Sequence, residues 1–253
     1  MSPQPAAVAP AQLDHWVGYL RTRALIPPGP VPIQQLPSSA STTVLRVGEV
    51  VLKQAPRAAA RRAADAMRRL PELTPPLLWQ DEQAGVLVTR HVPGANWRRL
   101  LAGGRIEART FESAGRLLRA SHDKTTAETG DVLVHNAFLP ENVIVGPRGE
   151  LQVVGWGAAG QGPAETDVTT LLAELLVDSA RRPYTEDWYI DAGRAFLAGY
   201  GMPVTTRLTS LVGDRVLSLV DNAAATPGLD GPGRDGLRRS GEALLFGRQT
   251  LPW

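Results

Sequence analysis

The chain has 253 residues, a formal net charge of +2, 43% apolar and 21% charged residues, and no cysteine. That length allows one large core or two lobes sharing a cleft, and the missing cysteine excludes disulfides, thiolate metal sites and a cysteine nucleophile. The small net charge argues against nucleic acid as a partner, no apolar run approaches the roughly 18 residues a membrane span needs, and without a basic leader the expected location is the cytoplasm.

Residues 1–10 are rich in proline and alanine and read as a disordered tail. Residues 11–26 carry Leu13, Trp16, Val17 and Leu20 at helical spacing, a short amphipathic helix that either packs on the next region or meets a partner. The segment Pro37-Ser38-Ser39-Ala40-Ser41-Thr42 has serines where phosphate-cradling loops carry glycines, so a tight phosphate loop is not expected. Two strand-like runs, Thr43–Val47 and Glu49–Lys53, then flank a turn at Gly48-Glu49. Only two of the 27 basic residues are lysines, Lys53 and Lys124, so the lysine that ends this hairpin stands out.

Pro56 opens a helix to about Leu70 whose arginines, Arg57, Arg61, Arg62, Arg68 and Arg69, read as a solvated face or as a site for an anionic partner. A strand at residues 85–94 runs into Pro93-Gly94, with His91 a surface or hinge histidine. Residues 107–122 place Phe111, Ala114, Leu117, Leu118 and His122 on one helical face. Residues 165–179 form a further apolar helix with Asp167 at its cap, and helices near 185–200, 204–222 and 232–246 complete the chain. The late aromatics Tyr184, Trp188, Tyr189 and Trp253 fit core packing best.

The most informative stretch lies between these helices: His135-Asn136-Ala137-Phe138-Leu139-Pro140-Glu141-Asn142, then Val143-Ile144-Val145, a turn at Gly146–Gly149, and a strand ending in Gly155-Trp156-Gly157. It resembles the catalytic loop of the aminoglycoside phosphotransferase and choline kinase family, whose pattern reads HGDxHPxN, a hairpin, and a strand ending in DW or DF. His135, Pro140, Asn142 and Trp156 match that pattern. Ala137 stands where the family has its catalytic aspartate, and Gly155 where it has the aspartate that holds magnesium.

The resemblance, spanning about residues 35–205, implies an α+β, two-lobed protein-kinase-like fold with a small β-rich N-lobe and a mainly helical C-lobe. The implied division is a tail and short helix over 1–30, an N-lobe over 31–92, and a C-lobe over 93–253 holding the degenerate loop 135–157. It further implies that Lys53 faces nucleotide phosphates, that Asn142 and the backbone at Val92 belong to the nucleotide site, and that His135, Asp167 and Trp156 hold the loop in shape. The helix after the hairpin lacks the glutamate that orients such a lysine: the position falls near Ala63, and Asp65 points elsewhere.

Alanine and glycine neither hold a metal nor accept a proton, so no intact catalytic residue and no metal ligand are expected, with Glu141 the possible substitute. The expected function is that of a pseudokinase that binds or scaffolds a partner protein, a peptide or a small molecule. ATP remains a candidate ligand and magnesium is not expected. The alternative is an active ATP-dependent phosphotransferase with displaced acids.

Overall fold

A computed structural model describes residues 10–38, 41–102, 107–181, 186–222, 229 and 231–253. The Pro/Ala-rich tail to residue 9, Ser39 and Ala40 of the serine loop, and Tyr184 lie outside the described residues. The chain divides into two compact units: an N-terminal unit of residues up to Gly94 with Gln152–Ala159, and a helical unit of Ala95–Leu151 with Gly160–Trp253.

The N-terminal unit is built on a five-stranded antiparallel sheet of β1 (Ile33–Gln35), β2 (Thr43–Val47), β3 (Val50–Gln54), β4 (Leu77–Asp81) and β5 (Val86–Arg90), in the order β1-β2-β3-β5-β4. Its centre is the two-residue hairpin read from the sequence: Val47 faces Val50, and Gly48 turns the chain at φ 59°, a value glycine adopts freely. Helix α1 (Pro10–Thr22) covers this sheet. Trp16, Val17 and Leu20 join Leu45, Val47, Val50, Leu52, Val86 and Val88 in one buried cluster. Each large side chain so buried contributes roughly 1.5–3 kcal/mol of transfer free energy, so the apolar face of α1 is used within the chain. The helix ends four residues short of the expected 26, where Ala24 turns to φ 52° ahead of Pro27-Pro28.

Helix α2 (Arg57–Arg69) buries Ala60, Ala63, Ala64 and Ala66 and leaves its arginines outside. A face of alanines lets it lie close to β4, β5 and a short 3-10 turn at Trp156–Ala158. Pro56 is its cap rather than its first residue.

In the helical unit, β6 (Ala95–Asn96) leads into α3 (Trp97–Ala102), and α4 (Ala108–Thr125) precedes β7 (Val132–Val134). A 3-10 turn at Pro140–Asn142 joins β8 (Val143–Val145), which pairs antiparallel with β6 and passes through Gly146–Glu150 to β9 (Leu151–Val153). The strand β10 (Gly160–Gly162) pairs with β7, and α5 (Glu165–Arg181), α6 (Glu186–Tyr200), α7 (Thr206–Asp221) and α8 (Gly231–Leu245) follow. Helices α4 and α6 cross through glycine: a Cβ on Gly115 would strike the carbonyl of Phe196, and one on Gly199 the carbonyl of Glu112. Tyr189 is buried, Trp188 packs edge-on to Phe111, and Trp253 lies against Gly193. Among the described residues no helix is long and apolar enough to cross a membrane.

Candidate functional site

The loop that follows β7 is shaped from below by one carboxylate. Asp167, fully buried, accepts the backbone N–H of His135 at 2.7 Å and that of Asn136 at 2.9 Å. Beyond these N–H groups the chain turns at Asn136, φ 61°, a left-handed value that asparagine tolerates better than most side chains. Asp167 Oδ2 also lies 3.3 Å from His122 Nε2, whose Nδ1 is 2.7 Å from the Tyr200 hydroxyl. A carboxylate only accepts, so Nε2–H donates to Asp167 and the Tyr200 O–H donates to Nδ1. Burial pushes the Tyr200 phenol up to about 12, which keeps it a donor. The sequence places Asp167 at a helix cap. It is instead the third residue of α5, and its oxygens serve the loop.

Ala137 stands at the head of the loop. Its N–H donates to His135 Nδ1 at 3.2 Å, and its carbonyl accepts from Leu139 N at 2.8 Å and from Asn142 Nδ2 at 2.9 Å. The Asn142 amide nitrogen is therefore committed to the loop backbone. Phe138, 1% exposed, packs against His135 and Phe196 beneath it.

Glu141, the acid nearest this loop, is engaged elsewhere. Arg98, from α3, meets Glu141 Oε2 at 2.9 Å, Glu174 Oε2 at 3.1 Å and Asp178 Oδ1 at 3.2 Å, and Arg181 meets Asp178 at 2.7 Å. Burial opposes the Arg98 charge, but Asp178, Glu141 and Glu174 more than offset it and hold its pKa above the ordinary range. Burial also pushes Glu174 up, with Arg98 working the other way. Asp123, another acid ahead of the loop, is bound to Arg119 at 2.8 Å.

The remaining site residues belong to the N-terminal unit. Lys53 sits in β3 between Val44 and Leu87, half-buried, and burial lowers its pKa. A Cβ built on Gly157 would lie 3.9 Å from Lys53 Nζ and 3.5 Å from the Ala59 Cβ. Ala63, one turn on, is buried, and the acid of α2, Asp65, is exposed and paired with Arg68. Gly155 adopts φ 89° and ψ 19°, and Trp156, 1% exposed, donates its indole N–H to Val153 O at 2.8 Å. Arg62 Nε donates to Gly157 O at 2.9 Å. Val92 is half-buried two residues beyond β5, and burial lowers the pKa of its neighbour His91.

These residues do not fit a magnesium ion. Hard cations seek carboxylate oxygens, and positions 137 and 155 carry alanine and glycine, which offer none. Among the described residues no three acidic or histidine side chains are grouped to hold a metal.

The sequence pattern misses Arg98 and its acids, which come together from separations of 43, 76 and 80 residues. One signal was present: Glu174 and Asp178 lie one turn apart among the leucines and valine of α5, and buried acids require a cation. Arg62 on Gly157 was also missed, because nothing local distinguishes it from the other arginines of α2.

The profile of the phosphotransferase enzyme family (APH) matches residues 3–207. No curated protein matches the chain. Among solved structures, choline kinase LicA from Streptococcus pneumoniae aligns over 93% of this chain and 99% of its own at 12% identity, with a TM-score of 0.59. A choline/ethanolamine kinase family protein from Mesorhizobium loti aligns over 92% and 94% at 19% identity, with a TM-score of 0.54. The ADP-bound aminoglycoside phosphotransferase APH(2'')-Ib aligns over 94% and 99% at 13% identity, with a TM-score of 0.57. At these identities the likeness is one of fold: a sheet-rich N-terminal region and a helical C-terminal region, as in the kinase-like neighbours.

Proposed function

The chain belongs to the phosphotransferase enzyme family (APH), and from that premise we propose that it is a pseudokinase, a member that binds a partner protein, a peptide or a small molecule without transferring phosphate. The observation that carries this reading is the pair Ala137 and Gly155, set in a loop whose supporting hydrogen bonds are present. Phosphoryl transfer asks a protein for charge neutralisation and for a base that orients the attacking hydroxyl. A methyl group and a hydrogen supply neither. Loss of a general base alone typically costs about 10² to 10⁴ in rate. The one acid beside Asn142, Glu141, has its oxygen on Arg98, so it supports no ready substitute.

The neighbours named above include a choline kinase and an aminoglycoside phosphotransferase, and choline and aminoglycosides are both cationic. Here the buried acids Glu174 and Asp178 already hold a cation of their own, Arg98, which favours a different ligand.

The test is thermal unfolding of the chain with ATP, with and without magnesium, beside an assay of phosphate transfer to a panel of alcohols and peptides. We expect no magnesium-dependent stabilisation and no transfer. The double variant Ala137→Asp/Gly155→Asp is expected to gain magnesium-dependent nucleotide binding. Measurable transfer by the unmodified chain would establish the alternative, an active phosphotransferase with displaced acids.

A further inference from the structure

We propose that Lys53 is a nucleophilic amine that condenses with an aldehyde on a short apolar stem to form an imine. This role goes beyond the non-transferring reading, which leaves the lysine without an acid to meet, by naming a covalent ligand class for it.

The chain uses arginine at all but two of its 27 basic positions, yet it carries lysine in β3. A guanidinium stays charged at any ordinary pH and serves only as a cation, whereas an amine also has an unprotonated, nucleophilic form. The surroundings of Lys53 favour that form. Across the ladder it faces Val44 of β2 and Leu87 of β5, and the point a Gly157 Cβ would occupy lies 3.9 Å from Nζ and 3.5 Å from the Ala59 Cβ. The charged groups of the neighbouring elements are turned to other partners or stand apart: Arg46 meets Glu49, Asp65 meets Arg68, Arg62 donates to the Gly157 carbonyl, and Arg90 ends β5 three residues beyond Leu87. Among the described residues no carboxylate pairs with Lys53, and burial alone lowers its pKa. The residue is half-buried rather than sealed, which leaves it open to a small molecule.

A desolvated amine of this kind adds to carbonyls. Nζ attacks the carbonyl carbon, a C–N bond forms, and the two amine protons leave with the carbonyl oxygen as water, so the imine needs no co-reactant. At pH 7 an ordinary lysine keeps roughly one amine in 2,500 unprotonated, and each unit by which burial lowers a pKa raises that share about tenfold. A carboxylate beside the amine works the other way by favouring its charged form. The aliphatic neighbours Val44, Leu87 and Ala59 suit an apolar stem, while a charged stem would lose hydration against them without a partner.

Reductive labelling of the whole chain with propanal and cyanoborohydride tests the role, because peptide mass separates Lys53 from the exposed Lys124, the one other lysine of the chain, and from the terminal amine. At pH 7 Lys53 is expected to label about tenfold faster than Lys124 or more, with the gap narrowing in alkali, where any amine is unprotonated. Ala59→Glu, which adds a carboxylate on the side of α2 that meets Gly157, should slow Lys53 by about tenfold and leave Lys124 unchanged. Ala59→Gln, of the same size but uncharged, should hold the rate within about twofold. The pH profile of the unmodified chain decides the matter even where neither variant folds. A Lys53 that labels no faster than Lys124 at pH 7 overturns the proposal, and so does equal slowing by the two variants, the mark of a site governed by access alone. Either result leaves the pseudokinase reading intact, whereas phosphate transfer from ATP would sink that reading and not the labelling pattern.

Discussion

Around Asp167 the helical unit commits two carboxylate oxygens to the N–H groups of a loop and a histidine, whereas in the N-terminal unit Lys53 pairs with no carboxylate among the described residues. The first arrangement is structural and closed: each donor has an acceptor, and the shape of the loop follows. The second is open: Gly157 and Ala59 bring a hydrogen and a methyl group to its surroundings. The hydrogen bonds that give the loop its form stand beside positions 137 and 155 that carry alanine and glycine.

The comparison can be broken most forcefully at Asp167. Asp167→Ala leaves two backbone N–H groups without an acceptor in a buried setting and should cost about 3–5 kcal/mol of stability in urea unfolding. A loss under about 1 kcal/mol would show that the loop does not depend on this carboxylate.

Next in size is Arg98→Met, which strands the buried Glu174 and leaves Asp178 to Arg181 alone. Arg98 is 34% exposed, so about 2–3 kcal/mol is expected, below the roughly 3–5 kcal/mol of a fully buried pair. The sign with pH is definite. Burial raises the folded-state pKa of Glu174, so its contribution is fully present below the ordinary carboxylate value and is lost as pH rises through the folded value. Removing Arg98 raises that value further. The deficit of the variant should therefore grow from acid to neutral pH in matched thermal melts.

A smaller effect sharpens the other side. Gly155→Asp places a side chain at φ 89° and should lower stability by about 1–2 kcal/mol, less for Asn and more for Val, in the order of their tolerance for left-handed backbone. That strain must be subtracted before any gain in metal binding by the restored aspartate is read.

The smallest effect is expected at Lys53. Burial lowers its folded-state pKa, so the folded chain binds this proton more weakly than the unfolded chain, and stability rises with pH from the folded value to about 10.4. Lys53→Met lacks this dependence. It should be slightly the more stable form at neutral pH, with the difference closing as the solution becomes alkaline. A wild-type chain that loses stability over that interval would place a carboxylate beside the amine after all.

Much of this architecture is legible because local pattern carried it. The β2–β3 hairpin follows from β-branched runs about a glycine turn, and α4 and α5 from apolar spacing. The loop after β7 could be read as well, since asparagine at 136 supplies the left-handed turn that the family pattern meets with glycine. Strand β4 escaped notice because Leu77, Leu78 and Trp79 show no alternation: the strand bulges there at the sheet edge, leaving Leu78 36% and Trp79 39% exposed. The Arg98 cluster was illegible for a different reason. Its members lie on three elements far apart in sequence, and only packing reveals that Glu141 has a partner.

One consequence reaches beyond the loop. Because α4 and α6 interlock where neither can carry a side chain, at Gly115 and Gly199, their lengthwise alignment is settled there, and with it the meeting of His122 on one helix with Tyr200 on the other. A single methyl added at that crossing would shift the alignment and travel by way of Tyr200, His122 and Asp167 to His135. Two residues with no chemistry of their own thus act as the surveyor's mark from which the rest of the loop is laid out.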